Sequence, residues 1–217
     1  MVEKLFAESV YNVPELFCYP SGPESDLDYK IKLYPETGTR RIVELKVTWR
    51  DSDQESAQRV EELERTASAL LEANPPAGEG YTVEELAAIV RNAHGGEDAQ
   101  GANLVQDVLS GEAAADSGLL MAMEYLCHQC GIEAIMAWGE GPRQNWLIVS
   151  TPDGYRHLTV DSLYAPRPEE PDGEEPDGEE PGVEEPEAPV ALYTDREMAE
   201  LGYEWPASLY PICAEPS

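Results

Sequence analysis

The strongest constraint on this chain is a run that has nothing to pack. From Glu169 the sequence advances in steps of five: Glu-Glu-Pro-Asp-Gly, the same again, Glu-Glu-Pro-Gly-Val, then Glu-Glu-Pro-Glu-Ala. Each step combines like charges with a proline, which opposes both helix and sheet. The run therefore predicts an extended, solvated insertion over residues 166–189, a spacer in which nothing preorganises a calcium site. It divides the chain into an N-terminal segment with a β-hairpin (1–50), a core (51–165), the insertion, and a return to the core (190–217).

Charge narrows the functions further. The chain carries 44 acidic against 14 basic residues, a formal charge of −30. Arg167 to Val190 holds eleven acids and one base, a net of −10, so −20 remains on the other residues. Without a cluster of Lys and Arg there is no electrostatic footprint for nucleic acid, and none for an anionic membrane surface. No run of about 18 apolar residues is present, so membrane insertion is not expected. Met1-Val2-Glu3-Lys4 lacks a basic region ahead of an apolar one, so no signal peptide is expected in this chain.

The flanking segments read as ordered elements. Residues 29–34 and 41–49 alternate polar and apolar around Pro35-Glu36-Thr37-Gly38, which predicts a hairpin. Ser52 and Glu55 form a capping box ahead of a helical stripe that runs to Leu71 and stops at Pro75-Pro76. Thr82 and Glu85 form a second box, ahead of a helix that ends at Gly95-Gly96. A short helix follows, closed by Gly111. Asp116 is the expected N-cap of the clearest helix, whose apolar face runs from Leu119 through Leu126 to Cys130 and ends at Gly131. Strands follow at 132–138, 146–150 and 155–161, the last two joined by Thr151-Pro152-Asp153-Gly154. Cys127 and Cys130 form a C-x2-C with no second pair to complete a zinc site, so they read as core thiols on one helix, and no metal or cofactor is expected.

The order helix, strand, strand, turn, strand between Asp116 and Asp161 resembles the transglutaminase-like superfamily. That family opens a helix with Gly-Val-Cys-x-Gly-Tyr-Ala and continues to Leu-Gly-Ile-Glu; the same stretch here reads Ala114-Ala115-Asp116-Ser117-Gly118-Leu119-Leu120 and ends in Cys130-Gly131-Ile132-Glu133. The family's His-Ala-Trp-Asn-x-Val strand is matched by Gln144-Asn145-Trp146-Leu147-Ile148-Val149, and its Val-Asp-x-x-Trp by Val160-Asp161-Ser162-Leu163-Tyr164. Pro14-Glu15-Leu16-Phe17 and the tail from Thr194 to Cys213 are similar to the flanks of bacterial members. The resemblance implies an α+β fold with a transglutaminase-like, papain-like core, helices packed on an antiparallel sheet, and an N-terminal β-hairpin. It also implies a bacterial cell-surface, cell-envelope or secreted protein.

The departures bear on activity. The family's chemistry needs a thiolate at a helix N-terminus and a histidine to move its proton. At those positions stand Asp116 and Gln144; only Asp161, the residue that orients the histidine, is retained. The resemblance therefore implies a degenerate triad and a catalytically inactive domain, a pseudoenzyme that binds a protein, peptide or glycan or plays a structural part. Trp138, Trp146 and Tyr164 are candidate cleft residues that could stack on such a ligand, with core packing as the competing role. The alternative is an active hydrolase or acyl-transferase with a rearranged site.

Overall fold

The computed structural model describes residues 28–35, 41–48, 53–102, 104–164 and 190–215. The hairpin is formed by β1 (Asp28–Pro35) and β2 (Arg41–Thr48), antiparallel, with Leu33 opposite Val43 and Ile31 opposite Leu45. Helices α1 (Asp53–Ala73) and α2 (Val83–Ala93) follow. The Thr82 and Glu85 box caps α2 in both directions, satisfying amides that the first helical turn leaves without partners. Ser52 of the first box, and the acidic run, lie outside the described residues.

After α2 come a short strand β3 (Glu97–Ala102), α3 (Val105–Leu109) and α4 (Asp116–Gln129). The sequence reads α4 as one-sided, but every residue from Gly118 to Cys127 is buried. The reason is its position: α2 and α3 lie against it on one side, and β4 (Ala134–Trp138) and β5 (Asn145–Thr151) on the other. A helix enclosed all round carries apolar residues all round. Asp116 is the first residue of α4 rather than its N-cap; Ala115 takes the cap position without a side-chain bond. That frees the Asp116 carboxylate for partners outside the helix.

The four-stranded antiparallel sheet runs β4-β5-β6-β7, with β6 at Gly154–Leu158 and β7 at Leu192–Tyr193. Thr151 pairs with Gly154 across Pro152-Asp153, a tight turn that Gly154 enters with φ of +108°. β6 ends at Leu158, and Asp161 sits in the following 3-10 turn (Val160–Leu163) rather than on the strand. Leu147, Val149 and Leu158 face the main core, whereas Trp146 and Ile148 face a second cluster with Met198, Tyr203 and Cys213. The central strand is thus buried on both faces, because α5 (Asp195–Glu200) and the segment after it cover the side away from α4. Among the described residues no helix is long and apolar enough to cross a membrane.

Candidate functional site

The start of α4, the loop between β4 and β5, and the 3-10 turn after β6 meet at one polar junction. Arg143 donates from Nη1 to Asp116 Oδ2 and from Nη2 to Asp161 Oδ1, both at 2.9 Å. Tyr164 donates its hydroxyl proton to Asp116 Oδ1 at 2.6 Å. Both oxygens of Asp116 are therefore occupied, and one guanidinium spans two carboxylates that stand 45 residues apart in the chain. The hydrogen bond to Asp161, then the charges of the two aspartates, raise the pKa of Arg143 above its ordinary value.

The loop that carries Arg143 is held by close backbone approach. Glu140 and Glu204 exchange backbone hydrogen bonds at 2.8 Å. A Cβ on Gly139 would meet the Glu204 carbonyl oxygen and the Trp146 ring, so only glycine fits there. At the far side Arg91 donates to Ser162 O at 2.8 Å, fixing the 3-10 turn to α2. His94, which follows α2, places its ring edge-on to Tyr164 at 5.9 Å.

This junction joins Asp116 and Asp161 through Arg143, whereas the resemblance groups the two aspartates with Gln144. Gln144 is exposed, and its backbone carbonyl accepts from Gly139. Arg143 went unread in the sequence because it is a loop residue whose partners are remote; its one signal is a cation next to an aligned motif in a strongly acidic chain. The group of four contains no thiol and no imidazole, the two groups that the family's chemistry uses. Guanidinium, carboxylates and phenol here support hydrogen bonding and charge neutralisation.

A second cluster lies on the opposite face of the sheet. His157, Asp195 and Cys213 place one donor atom each within 4.8 Å of one another, the residue types of a cysteine-histidine-aspartate triad or a metal site. Its bonding decides against both. Trp146 Nε1–H donates to His157 Nδ1 at 2.9 Å. An indole nitrogen can only donate, so Nδ1 must offer its lone pair and the neutral ring carries its proton on Nε2. That proton goes to Asp195 Oδ1 at 2.8 Å. No lone pair is left on the ring for a metal or for the proton of a thiol. Burial lowers the pKa of His157, outweighing the opposing effect of Asp195. Burial also pushes the Cys213 thiol up to about 12, far from a reactive thiolate. The cluster pins the tail instead: Asp195 also accepts from Cys213 N at 3.2 Å, and Asp195 N donates to Cys213 O at 2.9 Å.

The other described cysteines are similarly muted. Cys127 is buried and Cys130 half-buried, and burial raises the pKa of both. Of the three candidate aromatics, Trp146 is fully buried in the second cluster and Trp138 is half-buried against the main core. Tyr164 is the one that reaches the polar junction. The chain matches no family model and no curated protein sequence.

Proposed function

We propose that this chain is a catalytically inactive transglutaminase-like domain, a binding or structural module of a bacterial surface or secreted protein that takes a protein, peptide or glycan partner. One observation carries the reading: Asp116 and Asp161, at the positions where the resemblance expects a cysteine and an aspartate, are joined by Arg143, the neighbour of Gln144, which stands where the resemblance expects the histidine. A carboxylate at the helix start cannot form a thioester, and neither the amide of Gln144 nor the neighbouring guanidinium can act as a base near neutral pH. The ion-paired junction holds the start of α4 against the loop and the turn, the three elements that a family active site would bring together. Burial of Cys127 and Cys213 and their raised pKa values support the same reading.

The test is turnover by the unmodified protein. Transamidation of a glutamine donor and hydrolysis of a peptide should both stay at the buffer rate, and thiol labelling near neutral pH should be slow. Thiol-dependent turnover that survives repurification would overturn the proposal and direct attention to the natural cysteines.

A further inference from the structure

A cleft of about 550 Å³ opens at the end of α2 remote from the Asp116 junction, between the start of that helix, the β5–β6 turn and Leu192. The eleven residues of α2 separate the two places by roughly 16 Å. Arg156 lines the cleft and is 8 % exposed. Among the described residues its side chain makes one hydrogen bond, from Nη1 to the carbonyl of the preceding residue, Tyr155, at 2.7 Å. Among the described residues no carboxylate lies within ion-pair distance of it; Glu197 and Cys213 register its charge only through space. A guanidinium cannot shed its charge at any ordinary pH, so burial without a counter-ion is costly. In a chain with 30 surplus negative charges, such a cation is not short of potential partners. The carboxylate of Glu197 acts on it through space, without a direct ion pair.

Across the same cleft stand the first residues of α2. The amide of Glu85 is taken by the Thr82 hydroxyl. The amides of Val83 and Glu84, ahead of it, have no hydrogen-bond partner among the described residues. Free amides at a helix start, with the positive end of the helix dipole behind them, form an anion site. Arg156 is independent of that helix and supplies the full charge.

The remaining lining selects the anion. Glu84 and Asp153 are exposed at the rim, so the charged lining sums to −1 with Arg156 included. That disfavours a phosphate dianion and tolerates a single carboxylate. Val83, Ile132 and Leu192 supply an apolar wall. We infer that this cleft binds the carboxylate of an apolar amino-acid residue, with the carboxylate on Arg156 and the α2 amides and the side chain on the wall. The same chemistry is offered by a free amino acid and by the C-terminal residue of a peptide. This site is independent of the junction at Asp116 and stands or falls apart from it.

The experiment is a titration of isotope-labelled protein, followed by NMR. The probes are leucine, a short peptide ending in leucine with a free carboxylate, the same peptide amidated, and inorganic phosphate. Leucine or the free-carboxylate peptide should shift the amide signals of Val83 and Glu84; the amidated peptide should not, and phosphate should bind more weakly than the carboxylates. Leucine alone binding identifies the free amino acid as the source, and the peptide alone identifies a chain terminus. Arg156→Met should weaken binding about ten- to hundredfold, the range for a lost hydrogen bond to a charged group. Because Arg156 is buried, Glu84→Gln at the rim is the second variant; it should fold normally and bind the free-carboxylate peptide about two- to fivefold more tightly, as a surface charge repulsion is removed. Absence of any shift with either carboxylate at about 10 mM would overturn the inference. So would equal binding of the amidated peptide, tighter binding of phosphate, or affinity unchanged by both substitutions.

Discussion

Acid should weaken this fold specifically through His157. The ring is fully buried, and its two nitrogens are committed in opposite senses: Nδ1 accepts from Trp146, and Nε2 donates to Asp195. A second proton would have to enter at Nδ1, facing the indole N–H 2.9 Å away. Two donors would then point at each other in a dry site, which burial makes worse. In the unfolded chain the same ring takes its proton near the ordinary value of about 6.5. The folded value is lower, so below pH 6.5 the unfolded state binds more protons than the folded one. The stabilisation is therefore complete above about pH 6.5 and is lost as pH falls towards the folded pKa. One proton sets a ceiling of about 1.4 kcal/mol per pH unit on that loss.

The comparison that isolates it uses His157→Gln. Glutamine can accept from Trp146 through its carbonyl and donate to Asp195 through its amide, but it does not titrate. Urea unfolding of both proteins at pH 7.5, 6.5 and 5.5 removes the common background from the many carboxylates. The wild type should lose stability relative to the variant between pH 6.5 and 5.5, by up to about 1.4 kcal/mol, with no relative change above pH 7. Parallel stability curves, or a relative gain by the wild type in acid, would refute the tautomer assignment.

Three further outcomes follow from the same structure. Arg143→Met should cost about 1 kcal/mol in urea unfolding at low salt and less at high salt, because the ion pairs it breaks are partly exposed, with Asp116 at 32 % and Asp161 at 59 %. Gly139→Ala should be at least as damaging although it adds one methyl group, since the new Cβ would drive the Glu140–Glu204 backbone pairing apart; a melting temperature equal to wild type would contradict this. Replacing residues 169–187 by a short Gly/Ser loop should leave the melting temperature almost unchanged, because closure entropy depends only weakly on loop length; unfolding of the domain on this replacement would show that the acidic run is needed by the core.

What the sequence discloses is local, and what it hides depends on remote partners. The Thr82 and Glu85 box is legible because its residues lie three apart and each satisfies the other's backbone amide. The β5–β6 hairpin is legible because a Pro-Asp-Gly turn sits between two alternating segments. β3 is not, because Glu97-Asp98-Ala99-Gln100-Gly101-Ala102 has no alternation; Ala102 is held instead by backbone bonds with Ala113 and Ala115. The all-round burial of α4 was hidden by its polar residues. Glu124 and His128 make its sequence look one-sided, yet Glu124 is buried with the rest. At the candidate site, Asp116 and Asp161 could be placed together by the order of their flanking elements. The residue that joins them could not, since an arginine in a loop pairs with whatever the tertiary fold delivers. Arg156 is masked in the same way: its place in an alternating strand predicts nothing about a missing counter-ion.

The claim that the start of α4 is the site of a lost nucleophile meets its most direct test in the thiol pKa of Asp116→Cys, read from the pH dependence of alkylation. A cysteine there would sit in the first turn of a helix beside the Arg143 guanidinium, and both favour the thiolate. The account predicts a pKa below the free-cysteine value of about 8.5, rising again when Arg143→Ala is added. A thiol that titrates at or above about 8.5, and does not respond to removal of Arg143, would contradict it.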